Sequence, residues 1–252
     1  KGIKWFKKIL LEKYFKKKIK SLRKEPKNKL IDYLGWHKQN EDYYFVGLPL
    51  LSGRLYGEKK SLIRDIVKKY NLDLRLTPNQ DILLCNISNK DKLNIKKALS
   101  KIGYENLNEI NEIQRHALAC PALPLCGLAM TEAERILPSV LTRIDILLKS
   151  LDIKKSILFR MTGCPNGCTR PYMAELALVG SGQNKYQLWL GGSKNLQRLA
   201  KPYLQRMELD DLEKTIKPLL IHWKRLDSKS DFGDFIKDQD ESSILNLLNE
   251  IQ

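Results

Sequence analysis

Two short cysteine loops constrain this chain more than any other feature. They read Cys120-Pro121-Ala122-Leu123-Pro124-Leu125-Cys126 and Cys164-Pro165-Asn166-Gly167-Cys168, a C-x5-C pair followed 38 residues later by a C-x3-C pair. Four thiols drawn from two loops suit zinc or an iron–sulfur cube. Structural zinc usually takes a closer pair on each side. Here one pair is longer and both loops sit in apolar sequence, which favours the bulkier, softer cluster. Pro121 and Pro165 each follow a cysteine and lack an N–H, so no regular helix can absorb the loops. Gly127, Gly163 and Gly167 permit positive φ or close backbone approach. N–H groups freed in such loops can point at sulfide. Merely buried thiols, or two disulfides, are the plain alternative. The fifth cysteine, Cys85, lies in an apolar run and reads as a buried thiol.

A stapled secreted domain would be smaller than 252 residues and denser in cysteine. The pattern therefore fits a reducing compartment. Lys and Arg number 45 against 29 Asp and Glu, a formal net charge of +16. Such a surface attracts polyanions, acidic proteins or anionic membranes. Lys-rich solvated faces are also common, so charge alone selects no partner, and nucleic acid is expected only through non-specific charge. No apolar run reaches about 18 residues, so no membrane span is expected. The basic start lacks the apolar run and cleavage site of a secretory signal. It opens on Lys1 rather than Met, which leads to the expectation of a missing N-terminal part.

Periodicity divides the chain into four segments. Residues 1–36 read as a basic helical lead-in, with Ile3, Phe6, Leu10 and Tyr14 at helical spacing and Trp5-Phe6 as a packing stripe. Residues 37–107 read as a compact α+β unit. Strands are expected at 43–51, 72–76 and 82–87, and helices at 58–70 and 91–102, the second capped by Ser88 or Asn89. That order is about one half of a ferredoxin-like pattern. Residues 108–225 hold the cysteine loops. A helix is expected from a Thr131 cap toward Leu148, with Pro138 at an early turn. Strands are expected at 157–159, 174–179 and 186–190, with a turn at Gly180-Ser181-Gly182. Helices are expected from Ser193 or Asn195 and over 209–224. Residues 226–252 read as a polar tail ending in a short amphipathic helix. His37, His116 and His222 form no metal pair.

At the cysteine loops the sequence resembles the sulfite/nitrite reductase family. Ala119 to Cys126, followed by Thr131-Glu132-Ala133-Glu134-Arg135, is similar to the family's first cluster segment. Met161-Thr162-Gly163-Cys164-Pro165-Asn166-Gly167-Cys168-Thr169-Arg170-Pro171-Tyr172-Met173-Ala174-Glu175-Leu176 is similar to its second. The resemblance extends through Tyr33-Leu34-Gly35-Trp36-His37, Arg75-Leu76-Thr77-Pro78-Asn79-Gln80 and Trp189-Leu190-Gly191-Gly192. The Gly167 and Arg170-Pro171 positions resemble the sulfite branch more than the nitrite branch.

That resemblance implies an α+β protein, a ferredoxin-like half-domain over 37–107 followed by an α/β siroheme and 4Fe–4S domain over 108–225. It implies that Cys120, Cys126, Cys164 and Cys168 bind a 4Fe–4S cluster. Cys168 would also be the axial thiolate of siroheme iron and so the catalytic link between the two centres. Sulfite would be reduced to sulfide with six electrons from ferredoxin. Siroheme carries eight carboxylates and needs cations and amide donors. The candidates are Arg170 and Asn166, then Arg75, Thr77, Asn79 and Gln80, and Arg115. Gly191-Gly192 could meet an anionic group or form a plain turn. The basic surface suits docking of an acidic ferredoxin. Only one half-domain is present where the complete enzyme of this family has two, so the chain is expected to be inactive alone. A cytoplasmic or plastid-stroma location is expected. The alternatives are a nitrite reductase of the same family and a basic, zinc-holding nucleic-acid binder.

Overall fold

A computed structural model describes residues 2–15, 30–226 and 229–249. Its first unit is a four-stranded antiparallel sheet. β1 (Gly35–Lys38) pairs with β2 (Tyr43–Leu48), β2 with β4 (Ile82–Ser88), and β4 with β3 (Asp73–Leu76), giving the order β1-β2-β4-β3. Helices α2 (Gly57–Tyr70) and α3 (Asn89–Ser100) supply the other half of the core. Ile63 and Ile66 of α2 and Ile95 and Leu99 of α3 are buried with Val46, Leu48, Leu84 and Ile87 of the strands. This spacing puts one face of each helix on the sheet. Cys85 is buried in β4 as expected. β1 went unread because it is four residues long and mixes Gly, Trp, His and Lys. It straddles residue 37, where the half-domain is expected to begin.

The second unit is a five-stranded mixed sheet in the order β5-β6-β7-β8-β9. β5 (Leu118–Ala119), β6 (Phe159–Thr162) and β7 (Leu176–Gly182) are parallel. β8 (Lys185–Leu190) and β9 (Lys201–Glu208) continue antiparallel. Helices α4 (Leu137–Ser150) and α5 (Leu212–Leu226) cover one face, burying Val140, Leu141, Ile144, Ile216, Leu220 and Trp223.

Several expectations are corrected here. The helix expected from Thr131 begins at Leu137, with Pro138 in its first turn, where a missing N–H costs nothing. Thr131 is instead buried, its hydroxyl 3.1 Å from Tyr186 Oη. The strand expected at 157–159 runs Phe159–Thr162. Gly180 and Gly182 lie within β7, and the hairpin turns at Gln183 and Asn184. No helix follows Ser193. A turn there is held by Ser193 Oγ, which accepts the N–H groups of Gln197 and Arg198. The chain then enters edge strand β9, which Pro202 and its charges had disguised. Pro218 lies inside α5.

The segment beyond 226 ends in the expected short amphipathic helix, but the part before it is not a polar tail. Helices α6 (Phe232–Asp238) and α7 (Glu241–Asn249) bury Phe232, Phe235, Ile236, Ile244 and Leu248 in the same core as α4 and α5. At the other end, α1 (Gly2–Ile9) is helical and Leu10–Phe15 continues as a wider π-type turn. Trp5 and Phe6, expected as a packing stripe, are 44% and 57% exposed. The rest of the lead-in, 16–29, lies outside them. No helix among the described residues is long and apolar enough to cross a membrane.

Candidate functional site

The two cysteine loops start side by side because their strands are parallel neighbours. Ala119, the end of β5, is opposite Met161 of β6, and the Cys120 N–H extends the pairing to the Met161 carbonyl. Both loops thus leave the carboxyl ends of adjacent strands, the usual place for a site on such a sheet.

Gly163 joins them. Its N–H donates to Cys120 Sγ at 3.3 Å. Its carbonyl accepts the N–H groups of Met130 at 2.8 Å and Thr131 at 3.2 Å. A Cβ here would stand 2.6 Å from the Thr131 carbonyl oxygen, and one on Gly180 would stand 2.3 Å from the Gly163 oxygen. Only glycine permits these contacts. The second loop is pinned by side chains. Thr162 Oγ1 donates to the Cys164 carbonyl (3.0 Å), Thr169 Oγ1 to Met161 (3.1 Å) and Tyr172 Oη to Pro165 (2.6 Å). Arg170 adopts φ +56° and its N–H closes onto the Gly167 carbonyl at 2.8 Å.

All four loop cysteines are free thiols. Cys120 and Cys164 are buried, Cys126 is half-buried and Cys168 is exposed. Burial pushes the Cys120 thiol up. The N–H groups of Gly163 and Ala122 act against this, and the neighbouring Cys168 and Cys164 push it further up. These three sulfurs therefore share one electrostatic field. Among the described residues no group of three His, Cys, Asp or Glu side chains is placed to hold a metal ion. Free thiols in two loops on neighbouring strands are by their chemistry the donor type an iron–sulfur cluster takes. Leu125, Leu128 and Met130 stand 67%, 73% and 45% exposed around the first loop, an apolar rim.

The turn over residues 77–80 meets both loops. Gln80 Nε2 donates to the Ala119 carbonyl at 3.0 Å, one residue before Cys120, and its Oε1 is buried without a partner. Arg170 reaches back to the Pro78 carbonyl at 3.0 Å. Thr77 Oγ1 accepts the N–H groups of Asn79 and Asp81, and the Asn79 amide lies 3.5 Å from His116 Nδ1. Asn166 is exposed between the second pair of cysteines. Two candidates are placed differently. Arg75 lies on edge strand β3 beside Asp73 at 3.6 Å. Arg115 is bound to Asp32 at 2.6 Å and Glu112 at 3.4 Å.

Sequence reading missed Arg160 and Glu175. Arg160 is 1% exposed within β6, yet its only signal is a charge inside the apolar run 157–161. Glu175 is fully buried. It accepts the Leu158 N–H at 2.8 Å and the Gly233 N–H at 2.9 Å, tying α6 to the strand after the second loop.

The fold is that of an α+β protein with two cysteine-bearing loops leaving the carboxyl ends of adjacent parallel strands. Residues 37–102 match the nitrite/sulfite reductase ferredoxin-like half domain. The chain is 45% identical over 240 residues to a ferredoxin sulfite reductase of Synechococcus elongatus, covering 93% of this chain and 38% of that one. It is 36% identical over 211 residues to an NADPH sulfite reductase hemoprotein beta-component of Oceanobacillus iheyensis, covering 81% and 36%. The NirA protein of Mycobacterium tuberculosis superposes with a TM-score of 0.76 at 20% identity, over 96% of this chain and 47% of that one. This last likeness concerns the fold. The chain belongs to the sulfite/nitrite reductase family. It spans under two fifths of the length of the curated relatives it matches.

Proposed function

We propose that this chain is the C-terminal, cofactor-binding part of a ferredoxin-dependent sulfite reductase. Residues 37–107 are its half-domain and 108–225 the core of its cluster domain. Cys120, Cys126, Cys164 and Cys168 bind one 4Fe–4S cluster, and Cys168 also ligates siroheme iron. The carrying observation is the pair of loops on adjacent parallel strands, with Cys168 the one loop cysteine left exposed.

When bound, the two groups supply one-electron storage and an iron at which sulfite is reduced to sulfide. The protein's own part is to hold and to orient. The Gly163 N–H stabilises charge on Cys120. Asn166 and Arg170, both exposed beside Cys168, offer an amide and a cation to siroheme carboxylates. Thr77, Asn79 and Gln80 brace the approach to the first loop, and Arg75 adds an exposed cation at the sheet edge. Arg115 is engaged with Asp32 and Glu112 and serves the fold in this reading.

The net charge of +16 supports docking of an acidic ferredoxin, in a reducing compartment such as the cytoplasm or the plastid stroma. The chain spans under two fifths of its curated relatives, and in this reading it turns over little or no sulfite alone.

Anaerobic purification with assays of the visible spectrum, iron, labile sulfide and zinc tests the reading. About four iron and four sulfide per chain are expected for one such cluster. One zinc per chain, with no chromophore and salt-sensitive DNA binding, would replace this reading with the nucleic-acid one.

A further inference from the structure

Alternation along β6 sends Phe159 and Met161 into the main core and Arg160 to the opposite face of the sheet. There Arg160 lies in one row with Ala177 and Trp189, and Tyr172 packs on Trp189 at 4.5 Å between ring centroids. Arg160 is 1% exposed. Its Nη1 donates to the Arg170 carbonyl at 3.1 Å, and its Nε is buried with no partner. The charged neighbour it feels is a second cation, Arg170. A buried guanidinium without a carboxylate is expensive, and an apolar side chain would cost the empty protein less.

We propose that Arg160 is a positioning residue of the cluster site: it locks the left-handed turn at Arg170 and supplies a countercharge for the thiolate-bound cluster. This rests on the function proposed above. Two observations carry it. The donated hydrogen bond falls on a residue at φ +56°, a conformation a non-glycine residue holds only when its surroundings enforce it. That residue is two positions after Cys168, so the guanidinium is held within roughly 13 Å of the Cys168 backbone at about 3.8 Å per residue. A unit charge about 12 Å away at an effective dielectric of about 20 alters a one-electron equilibrium close to tenfold. Loss of the charge should therefore make the cluster harder to reduce.

The test compares wild type, Arg160→Met and Arg160→Lys as whole chains, reconstituted anaerobically with iron and sulfide. The cluster midpoint is read by EPR-monitored titration, and the stability of the empty chains by urea unfolding. Arg160→Met should lower the reduction equilibrium roughly tenfold, about 59 mV for one electron. Arg160→Lys should stay within about threefold of wild type, and the empty Met variant should be at least as stable as wild type. A folded Met variant that cannot hold a cluster the Lys variant holds also supports the assignment. An unchanged midpoint in the Met variant overturns it, as do equal losses in Met and Lys. A Met variant that fails to fold, or is less stable when empty, reduces Arg160 to a structural role. A wild-type chain that takes up no cluster defeats the proposed function itself, a result separate from these.

Discussion

Replacing Gly163 with alanine isolates how closely the two cysteine loops are packed. The added methyl would stand 2.6 Å from the Thr131 oxygen, 2.7 Å from Ala122 Cβ and 3.1 Å from Ala129 Cβ. Comfortable separations between carbon atoms are about 3.5–4.0 Å. None of the three is the end of a flexible side chain, so the whole 122–131 segment must move. That movement pulls the Met130 and Thr131 N–H groups from the Gly163 carbonyl and disturbs the N–H bond to Cys120 Sγ. Overpacking of this kind costs about 1–3 kcal/mol. Reduced freedom of the unfolded chain returns about 0.4–1 kcal/mol. A net loss of about 2 kcal/mol at the upper end corresponds to a fall in Tm of about 4–8 °C for a chain of this size. Thermal unfolding of the empty protein reads it, with iron uptake measured alongside. Gly127→Ala is the control, because nothing lies within 4 Å of a Cβ there, and its Tm should hold or rise slightly. A Gly163→Ala protein that melts with wild type, or no lower than the control, would refute the close-approach argument.

Burial holds the Asp81 carboxyl up at about 7, above its ordinary value, so folding favours the protonated acid. The stability it lends is whole below about pH 4 and is lost as pH rises through about 7. Urea midpoints measured from pH 4 to 8 should fall with pH, and Asp81→Asn, which keeps an oxygen for the Leu50 N–H, should flatten that slope. Glu175→Gln leaves one acceptor for two buried N–H donors, Leu158 and Gly233, and should cost about 1–3 kcal/mol by chemical denaturation. Phe232→Ala, at a position with no exposure, should cost about 3–5 kcal/mol; near-neutral behaviour would show that α6 is dispensable to the core.

The elements with strong periodicity were legible in the sequence. α2 and α3 appear where Ile63, Ile66, Ile95 and Leu99 recur at helical spacing, and β4 and β8 where apolar runs are bounded by turn residues. Edges were not legible. β1 and β9 are half-solvated, so their side chains carry polar or mixed character, and β9 tolerates Pro202 because no further strand needs its N–H. The amphipathic helix α7 was legible from Ile244, Leu247 and Leu248, whereas α6 is only seven residues long and carries charges between its buried side chains, so it read as polar. The cysteine pattern named the candidate loops, but their lying side by side depends on β5 and β6 being parallel neighbours, a pairing of residues about forty apart that no local signal announces. Arg160 stayed hidden for a related reason: a charge in an apolar strand reads as a breach until the fold supplies its location.

Helix α6 is tied to the body of the molecule by the Gly233 N–H, which donates to Glu175, and α7 packs into the same core. Leu248, which closes the core, is made 80 residues after Cys168. At about 5–20 residues per second of translation, roughly 4–16 s separate them. The thiols thus emerge well before the stretch that seals the body, and a ribosome stalling inside that interval releases a product with its greasy interior bare.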